Sequence, residues 1–188
     1  FKQKTAYEIK ECDWSSDVCS SDLTTGSAFA GGWVSVDVDH VSGQQGAKNS
    51  VAQYVRAGTE LAGLNMGLQS RTGRNVDGSA TFNSLEVTAG KAMGLVTPFV
   101  GVGRDNGAGS YNYGLVGVTA GQQVGPGFAL LGAKTRVGST QTTATKQTVA
   151  FATYSIPVTK TVSVNLNASR SYQDIKENAL GLGLGFRF

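Results

Sequence analysis

Cysteine, proline and histidine are nearly missing from this sequence: 188 residues include 2 Cys, 3 Pro and 1 His. Two cysteines cannot build a disulfide-dense scaffold or a four-cysteine zinc site. A lone histidine, His40, excludes the two-histidine zinc motifs. Charge is also scarce, at 15% of residues, yet the chain alternates too regularly to be disordered. No apolar run approaches the ~20 residues of a membrane-spanning helix. Glycine alone is abundant, with 26 residues and no collagen period.

Both cysteines, Cys12 and Cys19, fall in residues 1–23, FKQKTAYEIKECDWSSDVCSSDL. This stretch has neither a helical stripe nor clean alternation. It resembles the translated halves of a short-read sequencing-library adapter, with the variable index near Lys10 and Glu11. We therefore read residues 1–23 as a non-native, disordered segment. Its C-x6-C spacing matches no common metal or redox motif. The segment holds three of the 16 basic and five of the 13 acidic residues, leaving 13 against 8 and a net charge of +5 elsewhere.

Residues 24–30, Thr-Thr-Gly-Ser-Ala-Phe-Ala, end in an A-x-A cleavage pattern and resemble the end of a proteobacterial secretory signal. The expected mature chain then runs over residues 31–188.

From Trp33 onward the period is two. Val34, Val36 and Val38 alternate with Ser35, Asp37 and Asp39. Val162, Val164, Leu166 and Ala168 alternate with Ser163, Asn165, Asn167 and Ser169. Leu180, Leu182, Leu184, Phe186 and Phe188 alternate with Gly181, Gly183, Gly185 and Arg187. The pattern predicts strands at 33–41, 51–61, 64–72, 81–91, 95–104, 111–122, 128–138, 146–156, 161–170 and 179–188. Most have about the length that crosses a bilayer at a tilt of ~45°. Short connections, such as Ala62-Gly63, alternate with longer polar ones, such as 42–50.

Such a pattern predicts an all-β fold: a single antiparallel transmembrane barrel of about ten strands, between eight and twelve. A soluble sandwich alternates too, but both of its inner faces want large side chains. Here the second column is small or polar, with glycine at 67, 90, 101, 103, 117, 121, 132, 181, 183 and 185. Glycine weakens a strand that must pack, but suits a curved wall or a crowded lumen. An even strand count puts both termini at the short-turn end, which in such a barrel is periplasmic.

The closing Ala-Leu-Gly-Leu-Gly-Leu-Gly-Phe-Arg-Phe resembles the C-terminal signal of Gram-negative outer-membrane barrels, with Leu180, Leu182, Leu184, Phe186 and Phe188 as its apolar column. That resemblance implies recognition by the barrel-assembly machinery, consistent with an extended edge joining an exposed sheet edge. The stretch from Tyr154 to Val164 also resembles the C-terminal hairpins of Gram-negative porins, although Pro157 and Val158 stand where Leu and Ser are common. The implied setting is the bacterial outer membrane, in contact with the lipid bilayer and lipopolysaccharide.

The alternation assigns Asp37, Arg56, Glu60, Arg71, Glu86, Arg104, Lys134, Arg136, Arg170 and Arg187 to the inner wall or its mouths. Two roles compete for them. They pair into a network that fills the barrel, or their cation excess favours anions in a narrow water path. The corresponding functions are a small porin-like channel for passive diffusion of small, anion-favoured solutes, and a non-conducting structural or adhesive surface barrel.

An enzyme needs a catalytic constellation. Small outer-membrane proteases and lipid A acylases or deacylases resemble this architecture and use an Asp-His pair or a His-Ser arrangement. The third reading, after the channel and the closed barrel, is a lipid A-modifying enzyme centred on His40; His40 lies beside Asp39, but strand neighbours point to opposite faces. We assign no catalytic residue, metal ligand or cofactor. Asp77, Asp105 and Asp174 form no D-x-D-x-D-G calcium loop. No helix follows the glycines of 121–127 to make a phosphate cradle. The basic residues are scattered around a tube and form no nucleic-acid stripe. Lys48, Arg74 and Lys146 near the long loops are candidates to touch lipopolysaccharide phosphates. Trp33, Tyr54, Phe82, Tyr111, Tyr113, Phe128, Phe151 and Tyr154 are expected in interfacial aromatic girdles.

Overall fold

A computed structural model describes residues 32–43, 49–106, 110–139, 144–174 and 176–188. The adapter-like segment and the cleavage pattern lie outside the described residues, as does Lys48. Ten strands follow in order: β1 (Gly32–Gly43), β2 (Ser50–Leu61), β3 (Leu64–Asn75), β4 (Thr81–Gly90), β5 (Val96–Asn106), β6 (Ser110–Val124), β7 (Gly127–Ser139), β8 (Ala144–Pro157), β9 (Val162–Gln173) and β10 (Glu177–Arg187). Every predicted strand is present. Several extend toward the long loops: β8 begins at Ala144, and β9 runs to Gln173.

Each strand pairs antiparallel with the next, and β1 pairs with β10 to close the barrel. The closing register sets Val36 against Leu184, Asp37 against Gly183 and Val38 against Leu182. Closure leaves no sheet edge, so a wall of this kind can sit in hydrocarbon.

Tight turns fix the register at one end. Ala62 and Gly63 both take positive φ, 53° and 76°, between the paired residues Leu61 and Leu64. That is the two-residue hairpin turn whose twist matches the strands. At the β6–β7 turn, Gly125 (φ 57°) precedes Pro126 between the paired Val124 and Gly127.

The two columns of each strand separate as the alternation predicts. Leu182 is 60% exposed on the outside, whereas Asn165 is 7% exposed within. Val36, Val38, Leu68, Leu85, Val87, Val100, Val102, Val116, Leu131, Leu166, Leu180 and Leu184 complete an apolar outer belt. The inward column is less uniformly small than expected. Phe82, Phe99, Tyr113, Leu115, Phe128, Leu130 and Phe151 share the inward phase of their strands.

This corrects the reading of the aromatics as girdles. Tyr54, Phe82, Tyr113, Phe128 and Phe151 turn inward, and most lie over a glycine of a paired strand. Phe82 covers Gly73, Tyr113 covers Gly103, Phe128 approaches Gly121 and Phe151 covers Gly132. An aromatic ring shields the bare backbone of its glycine partner and needs the missing side chain for room. Trp33 and Tyr111 also hold the inward phase, while Tyr154 faces out.

Candidate functional site: the barrel interior

Glycines also determine where the charges meet. Asp37 on β1 has Gly183 of β10 as its register partner, so nothing blocks its carboxylate from crossing that strand. It accepts from Asn167 Nδ2 on β9 at 2.8 Å, from Ser35 Oγ at 2.9 Å and from Arg56 Nη1 at 2.6 Å. Arg56 donates in turn from Nε to Gln69 Oε1 at 3.0 Å and lies 4.3 Å from the Tyr54 ring centroid. One carboxylate thus ties β1, β2 and β9 together, and Arg56 extends the network to β3.

The opposite wall repeats the device. Glu86 on β4 faces Gly103 of β5, and Lys134 on β7 faces Gly117 of β6. Across those glycines Lys134 Nζ reaches Glu86 Oε1 at 2.5 Å, and Arg136 Nη2 reaches Glu86 Oε2 at 2.7 Å. Tyr113 donates to Glu86 at 3.3 Å, and Arg136 donates to Gln147 on β8 at 3.2 Å. Glu86 and Arg136 are buried, at 4% and 8% exposed. In so dry a position an unpaired charge would be costly, and these are paired and hydrogen-bonded.

Nearer the long loops Arg71 bonds Glu177 at 3.5 Å. Its guanidinium lies 4.5 Å from the Phe82 centroid and 5.7 Å from that of Tyr54. Val41, Ala52, Tyr54 and Ala179, with Phe82 beside them, form a buried apolar cluster at this end. At the short-turn end Glu60 faces inward with Oε2 unpartnered, and Arg187 stands on the inner wall.

Arg104 and Arg170 are corrections. Both are exposed and stand in the outward phase, Arg104 with Val100 and Val102, Arg170 with Leu166 and Ala168. Arg104 bonds Asn106 and Ser110, and Arg170 lies 5.3 Å from the Tyr172 ring centroid. The alternation already contains this answer, because each shares parity with residues assigned to the outside. Three carboxylates were missed by the same test: Asp39 is in phase with Asp37, Asp105 with Gly101 and Gly103, and Glu177 with Ala179. Inside, Arg56, Arg71, Lys134, Arg136 and Arg187 meet Asp37, Asp39, Glu60, Glu86, Asp105 and Glu177, so the expected cation excess is absent. His40 is exposed on the outer face, with Asp39 pointing the other way. Among the described residues no cluster of His, Cys, Asp or Glu could hold a metal ion.

Between the two ion-pair networks runs a cavity of about 550 Å³. It is lined from Arg187, Ser163, Asn65 and Thr59 at the short-turn end to Gln147, Ser171 and Glu177 near the long loops. Its polar side is a ladder on β8 and β9. Ser155 donates to Asn165 at 2.9 Å, Ser163 donates to Asn165 at 3.3 Å, and Thr153 donates to Asn167 at 2.9 Å. Phe99, Phe128, Leu130 and Phe151 line its apolar side.

No protein-family model and no curated protein matches the chain. Solved structures do. The translocator domain of the autotransporter NalP from Neisseria meningitidis is similar at 12% identity and a TM-score of 0.54, over 89% of this chain and 92% of that one. Neisserial surface protein A is similar at 15% identity and 0.46, over 84% and 97%. The KdgM porin is similar at 12% identity and 0.44, over 82% and 99%. The NalP likeness extends over nearly the whole of both chains, and the ten strands of this chain close on themselves: the fold is that of an antiparallel transmembrane β-barrel.

Proposed function

We propose that this chain is a bacterial outer-membrane barrel that gives small solutes a narrow passive path through its lumen. The cavity reaching from Arg187 to Glu177 carries the proposal, because those residues span the length of β10. At a rise of ~3.4 Å per residue and a tilt of ~40°, that span is about 25 Å along the axis. Such a path suits water and small ions. With inner cations and carboxylates close to balance in number, it discriminates weakly between anions and cations. Both termini face the periplasm in this reading. The outward column Leu180, Leu182, Leu184, Phe186 and Phe188 is the edge offered to the assembly machinery before β10 meets β1.

A second reading, a closed structural barrel, is favoured by one observation: the Asp37 and Glu86 networks bury their charges deep in the lumen. Planar-bilayer recording of refolded protein separates the two. Small, stable conductance steps are expected. A long recording without steps overturns the channel and leaves the closed barrel.

A further inference from the structure

Charge is sorted by face in this barrel. Among the described residues every carboxylate on a strand faces inward: Asp37, Asp39, Glu60, Glu86, Asp105 and Glu177. Every charged side chain in the outward phase of a strand is a cation: Arg74, Arg104, Lys146 and Arg170, all exposed. These cations gather at one end of the barrel. Arg74 is next to last in β3, Arg104 third from the end of β5, Lys146 third in β8 and Arg170 fourth from the end of β9. All are long-loop ends. At the other rim the outward strand positions, among them Val34, Leu61, Val96, Val124, Ile156 and Phe186, carry no charge. The lysines of that end, Lys91 and Lys160, sit in the turns.

An arginine or lysine facing lipid costs about 2–4 kcal/mol at the midplane and roughly 0–1 near the interface. Random scatter of exposed cations would populate both rims. Each of the four sits beside apolar outward neighbours, Arg74 against Val51 and Arg104 against Leu85 in the paired strands. Their heads therefore belong where hydrocarbon gives way to headgroups. Arg170 lies against the exposed Tyr172, an aromatic of the kind that anchors at that level. A guanidinium fork matches a phosphate in two hydrogen bonds. Acidic groups are near: Asp174 accepts the backbone N–H of Lys146 at 2.7 Å, Asp77 lies in the β3–β4 loop and Asp105 faces inward.

We propose that Arg74, Arg104, Lys146 and Arg170 form a collar that docks the phosphate headgroups of anionic membrane lipids around the long-loop rim. The proposal rests on the reading that the barrel spans a membrane.

The test places the refolded full chain in phosphatidylcholine vesicles with traces of spin-labelled lipids. The motionally restricted fraction is compared for labelled phosphatidic acid, labelled lipid A and labelled phosphatidylcholine. The expected result is at least a fivefold preference for the phosphate monoesters. It should fall within twofold of unity in Arg74→Gln/Arg104→Gln/Lys146→Gln/Arg170→Gln. If that variant fails to fold, wild type in 1 M salt makes the same comparison, since exposed charges are screened there. Equal restriction of all labels in wild type overturns the collar while leaving the barrel inserted. So does a preference that survives both the substitutions and the salt. A preference abolished by millimolar inorganic phosphate assigns the cations to free phosphate and overturns lipid docking. Failure to enter any vesicle overturns the spanning reading, and the collar with it.

Discussion

Asp37 lies across Gly183. The two are register partners on β1 and β10, and a Cβ at 183 would stand 2.6 Å from the Asp37 carboxyl carbon. The absent side chain is what lets Asp37 reach Asn167 one strand further on. Gly183→Val should therefore displace the carboxylate and loosen its pair with Arg56, destabilising the barrel by about 3 kcal/mol. Gly114 lies on the outer face, where an added Cβ would meet nothing within 4 Å. Gly114→Val should change stability by under about 0.5 kcal/mol. Urea unfolding in vesicles measures both, and equal effects would contradict the assignment.

Glu86→Gln leaves Lys134 and Arg136 without their shared anion. Breaking such a buried pair should cost about 3–5 kcal/mol. In whatever folds, the reversal potential across a salt gradient should move toward anion selectivity, because two lumen cations are no longer neutralised. A shift toward cations would be the wrong sign for this geometry.

Thr153→Trp puts an indole into the narrow cavity from β8. Single-channel conductance should fall several-fold or vanish, because Thr153 lines the cavity and lumen-facing bulk obstructs it. Leu131→Trp, which points into the outer belt, should leave conductance within about 20% of wild type, since lumen residues alone set the path. Equal loss in both variants would place the current outside the barrel interior.

Leu182→Arg sets a cation in the outer belt well away from either rim. It should destabilise the inserted barrel by about 2–4 kcal/mol. Leu184→Ala at a neighbouring outward position should cost under about 1.5 kcal/mol, since lipid fills the space a packed core would leave empty. Reversed magnitudes in vesicle unfolding would mean these leucines face a protein interior.

The alternation of Val162 to Ser169, or of Leu180 to Arg187, needs no third dimension to interpret. A strand has a side-chain period of two, and a wall between oil and water forces one column to be apolar. Strand number, strand order and the faces of Leu182 and Asn165 follow from that rule together with the turn residues. So do the outward phases of Arg104 and Arg170, which parity states more reliably than the expectation that charges collect in a lumen.

What only the tertiary structure decided is partnership. Asp37 meets Asn167 across 130 positions, and Glu86 meets Arg136 across 50. These meetings depend on barrel closure, strand tilt and the stagger of several registers at once, and no local pattern encodes that sum. The inward turn of Phe151 onto Gly132 has the same origin. The sequence shows an aromatic and a glycine on neighbouring strands, but only the β7–β8 register sets one upon the other, because side chains pack against whatever pairing brings opposite.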